Sequence, residues 1–314
     1  MDWLNRTHVG DCRALMSQMA ADGVKVQTCV TSPPYFGLRD YGHDGQIGLE
    51  SSPAEYVAAM VDVFRSVRDV LADDGTLWLN LGDSYANDSK WGGSSSGKHV
   101  QALHGNTGIG RRRHTTGLKP KDLIGIPWRV AFALQADGWY LRQDIIWSKP
   151  NPMPESVRDR CTKAHEYVFL LSKLPRYYFD HEAIKEPSVS ELSPRKRPNG
   201  LSVEDGKKLG INQSCGVSET RNKRSVWTVA TKPYKGAHFA AFPPDLIEPC
   251  ILAGSRPGDV VLDPFMGSGT TAAVAIQHGR QYLGCELNPE YGPLQDQRIA
   301  EVTAMIKAAS KPVF

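Results

Sequence analysis

The sequence predicts an α/β fold in which a mostly parallel sheet of about seven strands is covered by helices on both faces. Strand patterns and helix patterns alternate along the chain, which is typical of parallel sheets with crossover helices. A glycine turn at residues 267–269 also stands between a strand pattern and a helix pattern. With 314 residues, of which 40% are hydrophobic, the chain is long enough for one large domain that carries insertions.

Residues 1–85 are predicted to contain three strands and one long helix. The strands are expected at residues 7–9, 24–30 and 76–81, and the helix at residues 54–71. Apolar side chains recur in that helix at intervals of three and four residues, so they share one face. They are Tyr56, Met60, Val63, Val67 and either Val70 or Leu71. This face is therefore expected to be buried against the sheet.

Residues 122–314 are predicted to contain four strands and three helices. The strands are expected at residues 141–147, 166–171, 260–263 and 282–286. The helices are expected at residues 122–136, from Pro243 onward, and at residues 270–278. Asp122 is suited to cap the first helix, and Gly138 is suited to end it. The strands at 141–147 and 166–171 are both expected to be buried.

Two segments without apolar periodicity are predicted to be long loops or small insertions. Residues 86–118 are rich in Gly, Ser, His and Arg, and residues 188–222 are polar and basic. Loops of this length within a compact domain are commonly functional or disordered. We therefore divide the chain into residues 1–85, a basic insert at 86–122, residues 123–175, a second insert at 176–235, and residues 236–314.

The charge of the chain is concentrated in these inserts. The net charge is only +3, but residues 85–122 and 176–235 together contain 19 Lys and Arg against 9 Asp and Glu. A strongly basic portion on a nearly neutral protein is typical of nucleic-acid binding. Charge alone also fits a pair of solvated basic loops, so both interpretations stay open at this point.

Composition and cysteine spacing narrow the class of protein. The six cysteines are scattered without a CxxC pair, so we expect reduced, buried thiols and no metal site. No apolar run approaches the roughly 18 to 20 residues of a membrane span. Residues 1–6 contain no apolar signal core. These features favour a cytoplasmic protein without a membrane partner.

A cofactor site is predicted at Asp263, the glycine turn that follows it, and Glu286. Glycines let the backbone approach a ligand closely, and the amides of a helix N-terminus can then face it. Doubly wound folds place an acid for ribose hydroxyls at the next strand end, where Glu286 stands. Asp263 at the start of this turn would repel a pyrophosphate, which argues against a dinucleotide. S-adenosylmethionine, which has no phosphate and a cationic amino-acid end, fits this chemistry.

A catalytic site is predicted at Ser32, Pro33, Pro34 and Tyr35, directly after a strand. The prolines fix φ and leave the carbonyl groups of Ser32 and Pro33 as acceptors for an amine. The ring of Tyr35 can stack on a base that has left its helix. The alternative is a proline-rich turn with a packed tyrosine. A sulfonium donor needs alignment rather than a nucleophilic side chain, and the absence of a Pro-Cys pair argues against methylation at cytosine carbon 5.

On these motifs the chain resembles the β-class DNA amino-methyltransferases, including stand-alone and phage-like members. Residues 32–35 match the catalytic motif and residues 263–271 the cofactor motif, in the order that defines the class. Residues 10–12, 147–154, 165–171, 238–243 and 284–286 match further stretches of the family. The resemblance implies a Rossmann-like class I methyltransferase fold. It also implies S-adenosylmethionine as cofactor, a flipped base in double-stranded DNA as substrate, a role in restriction–modification, and a nucleoid-associated location.

The resemblance also assigns roles to individual residues. Asp11 is expected to bind the adenine of the cofactor. The implied cofactor-binding residues are Asp11, Ser32, His238, Phe239, Phe242, Asp263, Phe265, Gly267, Ser268, Gly269, Thr270, Thr271 and Glu286. The candidates for DNA contact are Arg39, Arg111, Arg112, Arg113, Arg195, Lys196, Arg197, Lys207 and Lys208. The second insert would carry target recognition, and a homodimer without an obligatory protein partner is expected.

The target base is open between adenine and cytosine. The resemblance links Asp-Pro-Pro-Tyr with adenine enzymes and Ser-Pro-Pro-Tyr more often with cytosine N4 enzymes. Residues 36–41 nevertheless look like phage-like methylases, in which Ser-Pro-Pro-Tyr also occurs with adenine. Ser32 can accept a hydrogen bond from either amine, so its chemistry does not distinguish the two bases. We favour adenine N6 on the resemblance alone. Two further hypotheses stay open, methylation of RNA and an inactive nucleic-acid-binding module.

Overall fold

The computed structural model of the chain describes residues 2–38, 40, 42–86, 117–188, 219–231 and 242–309. The strands are β1 (Arg6–Val9), β2 (Val26–Thr31), β3 (Leu71–Leu81), β4 (Tyr140–Ser148), β5 (His165–Ser172), β6 (Glu186–Pro187), β7 (Thr220–Arg221), β8 (Val226–Thr228), β9 (Val260–Asp263) and β10 (Gln281–Glu286). The helices are α1 (Cys12–Ala21), α2 (Pro53–Val70), α3 (Ile126–Ala136), α4 (Pro244–Gly254), α5 (Thr270–Gln277) and α6 (Gly292–Ala309), with a short 3₁₀ helix at Pro289–Tyr291.

Eight of these strands form one sheet in the order β1-β10-β9-β2-β3-β5-β4-β8. Strand β5 runs antiparallel to β3 and β4, and the other neighbours in the sheet are parallel. The predicted fold class is therefore confirmed. The count of about seven strands was one too low for this sheet, because β8 has only three residues and lies in a segment that we assigned to the second insert. Strands β6 and β7 form a separate two-stranded sheet.

Two apolar clusters cover the two faces of the sheet. Helices α1, α2 and α3 pack on one face, and α4 and α5 pack on the other. The predicted apolar face of α2 is buried as expected, with Tyr56, Met60, Val63 and Val67 all inaccessible to solvent. Burial of each such side chain contributes about 1.5–3 kcal/mol, so this helix is fixed firmly against α1, α3 and strand β3.

The start of α3 differs from the prediction. Helix α3 begins at Ile126, four residues later than expected, and its N-cap is Gly125 with φ 78°. The cap acceptor is Asp83, whose Oδ1 accepts from the amides of Gly125 and Ile126 at 3.0 Å each. Asp122 therefore does not cap the helix, and its carbonyl group accepts instead from the amide of Ala86. The carboxylate that caps α3 is therefore that of Asp83, which follows the end of β3, and not that of the nearby Asp122.

Strand β4 is less buried than its sequence predicts. Only Ile145 and Trp147 of β4 are buried, whereas β5 buries every residue from Val168 to Ser172. Helices α1 and α6 were not predicted at all. Helix α6 buries only Gln295, so it carries almost no apolar pattern that periodicity can detect.

The sheet brings its functional ends to one edge. Because β5 is antiparallel to β3 and β4, its first residues lie beside the last residues of both, as the pairs Leu81–Tyr167 and Ser148–His165 show. The carboxyl ends of the parallel strands meet at the same edge, where α/β sheets bind their ligands. In the described ranges no helix combines the length and apolarity that crossing a membrane requires.

Candidate active site

The carboxyl edge of the sheet holds a cavity of about 650 Å³, within the range of small-molecule sites. Residues from both predicted motifs line it. Of the predicted site residues, the cavity wall contains Ser32, Pro33, Pro34, Tyr35, Phe242, Asp263, Phe265, Gly267, Ser268, Thr270 and Glu286. Strand β2 lies between a cofactor half, formed by β1, β10 and β9, and a second half formed by β3, β5, β4 and β8. One cavity therefore spans both predicted sites.

Asp263 hydrogen-bonds the two motifs to each other. Its Oδ1 accepts from the hydroxyl of Thr31 at 2.6 Å and from the amide of Phe265 at 3.0 Å. Its Oδ2 accepts from the hydroxyl of Thr271 at 2.6 Å. Burial raises the pKa of Asp263 to about 6, although these three donors oppose the rise. Asp263 thus joins the end of β2 to the start of α5.

The glycine turn is shaped by two left-handed residues and held by Glu286. Gly267 has φ 52°, and Gly269, the N-cap of α5, has φ 78°. The amide of Gly267 donates to Oε2 of Glu286 at 2.7 Å, and the amide of Asn288 donates to Oε1 at 2.9 Å. Burial raises the pKa of Glu286. Its oxygens retain lone pairs for the hydroxyls of a ligand.

One polar atom of this turn has no hydrogen-bond partner. The hydroxyl of Ser268 is buried on the cavity wall and is unpaired among the described residues. An unpaired buried hydroxyl costs free energy unless a ligand or solvent satisfies it. Together with Glu286, Ser268 gives the cofactor half the donor and acceptor groups that a nucleoside-bearing cofactor requires. The residues present therefore fit such a group.

Three predicted cofactor residues lie behind the cavity wall. Gly269 shapes the turn and Thr271 holds Asp263, as described above, and neither lines the cavity. Asp11 is the N-cap of α1, where its carboxylate accepts from the amide of Arg13 at 2.8 Å and forms an ion pair with the same residue. The hydrogen bond from Arg13 lowers the pKa of Asp11. Its backbone neighbours Gly10 and Cys12 line the cavity, and a contact of Asp11 with a cofactor adenine stays a prediction.

Tyr35 is held in place by its hydroxyl group. That hydroxyl donates to Oε2 of Glu166 at 2.7 Å and lies 3.2 Å from Oδ1 of Asn80. Burial, reinforced by the charge of Glu166, raises the pKa of Tyr35 well above its usual value, so the phenol stays protonated. Glu166 also forms an ion pair with Lys149, whose ammonium lies 4.2 Å from the centre of the Trp147 ring.

The main chain leaves room for the Tyr35 ring at Gly82. A Cβ atom at Gly82 would lie 2.5 Å from Cε2 of the ring, closer than real contacts allow. On the other side, the hydroxyl of Tyr56 donates to the carbonyl group of Pro34 at 2.8 Å. The ring is therefore fixed between the end of β3, the α2 helix and Glu166. The ring packs against the apolar core and also lines the cavity, and its stacking on a base stays a prediction.

Sequence reasoning missed several residues of the second half. Asn80 ends a predicted strand, so its place at the active edge follows from the rule of strand ends that located Asp263. Lys149 and Glu166 lie inside the two segments matched to the family, but nothing in their spacing indicated that they would pair. Asn151 and Thr231 also line the cavity, and Thr231 comes from a segment placed in the second insert.

The remaining candidates lie outside the described residues. They are His238, Phe239, Arg39, Arg111, Arg112, Arg113, Arg195, Lys196, Arg197, Lys207 and Lys208. Their roles in cofactor and DNA binding stay predictions.

The sequence pattern of a family described as DNA methylase matches residues 26–295, which is most of the chain. The chain belongs to this DNA methylase family. It is 47% identical over 305 residues to Type II methyltransferase M.Cfr9I of Citrobacter freundii, covering 96% of this chain and 90% of that protein. It is 49% identical over 291 residues to Type II methyltransferase M.SmaI of Serratia marcescens, covering 93% and 89%. The family identified from the motifs is thereby confirmed.

Solved structures of DNA methyltransferases share the fold. PvuII DNA methyltransferase, described as cytosine-N4-specific, superposes with a TM-score of 0.60 at 19% identity, covering 95% of this chain and 89% of that one. The complex of M1.HpyAVI with S-adenosylmethionine gives a TM-score of 0.53 at 16% identity, covering 94% and 98%. At these identities the likeness concerns the fold, which is that of the class I methyltransferases. Methyltransferases of this DNA methylase family use S-adenosylmethionine.

Proposed function

We propose that this DNA methylase is a site-specific enzyme that transfers a methyl group from S-adenosylmethionine to the exocyclic amine of a flipped base in double-stranded DNA. The observation that carries the proposal is the bridge at Asp263. Asp263 accepts hydrogen bonds from Thr31, at the end of β2, and from Thr271, at the start of α5. Residues 32–35 and residues of the glycine turn line the same cavity. Donor methyl and acceptor amine would thus be aligned, which is the main requirement of this reaction.

The protein's own groups have separate tasks in this reaction. The bound cofactor supplies an activated methyl group. The carbonyl groups and hydroxyl at Ser32 and Pro33 would accept from the amine, orient its lone pair and stabilise the positive charge that develops on the nitrogen. Tyr35 would stack on the base. Glu166 holds the Tyr35 hydroxyl, so the ring does not need to be ordered when the base arrives.

Adenine N6 is the first candidate for the methylated amine, as the resemblance of residues 36–41 favours. Cytosine N4 is the second candidate. The ammonium of Lys149 has three protons and lines the cavity beside its partner Glu166. Such a donor would bind the carbonyl group of cytosine or the ring nitrogen N1 of adenine. Ser32 in place of an acidic residue also fits the cytosine enzymes that the sequence resembles.

The decisive experiment is expression in a host that lacks DNA methylation, followed by single-molecule sequencing of the plasmid. We expect one modified sequence motif, and the modified base to be either N6-methyladenine or N4-methylcytosine. The matched control is a Tyr35→Ala variant, which should leave the plasmid unmodified. Unmodified DNA from an expressed, folded parent protein, or methylation restricted to RNA, would reject the proposal.

DNA binding is proposed to depend on the basic inserts. Replacing Arg111, Arg112 and Arg113 by alanine should weaken binding to all sequences and reduce the slope of log affinity against log salt by about 0.9 for each lost phosphate contact. Cofactor affinity should stay unchanged, because the turn and Glu286 belong to other segments. Parental affinity, salt slope and specificity would mean that these arginines are solvated, and recognition would then be sought in residues 188–235.

Assembly as a homodimer is proposed from the resemblance to β-class enzymes. Two copies would place two inserts on one duplex and favour a palindromic or nearly palindromic site. Light scattering at working concentration, with and without DNA, measures the mass directly. A monomer under both conditions would contradict the dimer without affecting the proposed reaction.

A further inference from the structure

The cavity rim carries an apolar side chain that the fold does not bury. Met153 is 79% exposed, the highest value among the large hydrophobic residues that the structure describes as exposed. Of those exposed residues, only Met153 and Leu38 also line the active-site cavity. Single exposed apolar side chains are common on protein surfaces, so it is the position of Met153 at the mouth of the cavity that carries the argument.

The loop that carries Met153 is anchored at both ends. The side-chain amide of Asn151 donates to the carbonyl group of Thr231 at 3.0 Å, and its carbonyl oxygen accepts from the amide of Thr231 at 2.9 Å. On the other side, Glu155 forms an ion pair at 2.6 Å with Arg160, whose guanidinium lies 4.0 Å from the centre of the Tyr85 ring. The loop therefore presents Met153 from a fixed base.

The sequence around Met153 stiffens the loop further. Pro152 and Pro154 flank the methionine, and each fixes its own φ. Pro154 also disfavours the helical region for Met153 itself, so the backbone that carries the methionine has few conformations. The exposure of Met153 is thus a feature of the loop's construction.

Met153 stands in the half of the site that would receive the base. Its loop leaves the end of β4, directly after Trp147 and Lys149, and Glu166 opens the neighbouring strand. The cofactor turn and Glu286 belong to the other half. A base that enters the cavity to stack on Tyr35 leaves a gap in its duplex, and the rim of the cavity is the part of the protein nearest to that gap.

We propose that Met153 is a wedge that inserts into the DNA stack where the target base has left it. Proteins that distort DNA insert apolar side chains such as methionine between base steps, which offsets part of the cost of unstacking. Methionine suits this role because it is flexible and polarisable and adapts to an irregular gap. The inference rests on the proposed methylation of a flipped base.

The test compares two DNA duplexes that contain the methylated site. In one duplex the target base is paired, and in the other an abasic nucleotide stands opposite it, so the target base is already unpaired. We expect Met153→Ala to lower kcat/KM on the paired duplex by about tenfold, which corresponds to about 1.4 kcal/mol of lost assistance to flipping. On the abasic duplex, Met153→Ala and the parent should differ by less than about twofold.

The matched control is Met305→Ala. Met305 is 69% exposed but lies near the end of α6, away from the cavity. It should have parental rates on both duplexes, and Met153→Leu should restore most of the lost rate on the paired duplex. S-adenosylmethionine affinity and thermal melting of Met153→Ala should equal those of the parent.

Two results would overturn the wedge. They are a parental rate of Met153→Ala on the paired duplex, or an equal loss on both duplexes, since a wedge acts only where a pair must be opened. If the parent protein itself methylated neither duplex, the proposed function would fall, and the wedge with it. Failure of the proposed function is thus distinguished from failure of the wedge alone, because it is measured on the parent protein without any substitution.

Discussion

Replacing Gly82 by alanine tests whether Tyr35 must be held where the structure places it. The new Cβ would lie 2.5 Å from Cε2, 3.0 Å from Cδ2 and 3.2 Å from Cζ of the Tyr35 ring, whereas ordinary contacts begin at 3.4 Å. The ring must therefore move by about 1 Å to restore normal contact distances. Its hydroxyl cannot follow without stretching the 2.7 Å bond to Glu166.

The expected consequence is a loss of turnover without a loss of cofactor binding. A displacement of about 1 Å in a positioned group costs on the order of a hundredfold in rate. We expect kcat of Gly82→Ala to fall by about that factor in a methyl-transfer assay, while S-adenosylmethionine affinity by calorimetry stays at the parental value. Gly82 lies at the end of β3, whereas the cofactor turn follows β9, so the two effects are separable.

Gly292→Ala is the matched control for this prediction. Gly292 is also a non-strained glycine, but no atom lies within 4 Å of a Cβ added there. It begins α6, where alanine is well tolerated. We expect parental kcat and stability. A Gly82→Ala protein with parental kcat would refute the idea that a fixed ring position matters for catalysis.

The remaining predictions concern Tyr35, Glu286 and Asp263. Tyr35→Ala should abolish detectable methylation with near-normal cofactor affinity, because a stacking contact worth about 1–3 kcal/mol is lost; Tyr35→Phe keeps the ring and should be milder, and equal activity of both variants with the parent would disprove the flipped-base pocket. Glu286→Ala should weaken S-adenosylmethionine binding about tenfold to a hundredfold in calorimetry while DNA affinity is retained. Asp263 has a pKa of about 6 in the folded chain against 3.8 for the ordinary group, so the native state binds its proton more tightly than the unfolded state. The free energy of unfolding of the parent, measured by denaturant against Asp263→Asn, should therefore rise by about 1 kcal/mol as the pH falls from about 7 to about 5; a constant difference between the two proteins across this range would contradict the raised pKa.

Local patterns were sufficient to predict the elements that hold the two motifs. The apolar face of α2 and the strand ends at Asp263 and Glu286 follow from short-range periodicity and glycine chemistry, which involve residues a few positions apart. The DNA methylase family was identified correctly for the same reason. Strand β4 was assigned correctly in position but not in burial, because burial depends on what covers a strand rather than on its own residues.

Contacts between distant segments were not predictable from these patterns. The cap of α3 comes from Asp83, 42 residues before the N-cap residue Gly125, and a local candidate at Asp122 looked equally suitable. The hydrogen bond of Thr31 with Asp263 spans 232 residues, and that of Tyr35 with Glu166 spans 131. Each needs the strand order of the sheet before it can be foreseen. The second half of the site therefore emerged only from the structure.

The pairing of the first strand with one of the last has a consequence for biosynthesis. Strand β1 pairs with β10, and Asn5 accepts a hydrogen bond from Tyr282, 277 residues further along the chain. At about 5–20 residues per second, a ribosome needs on the order of tens of seconds to synthesise the residues between them. During that time β1 has no partner, and the acid at Glu286 does not yet exist. The edge of the sheet that β1 and β10 form is therefore completed only after residue 286 has been synthesised.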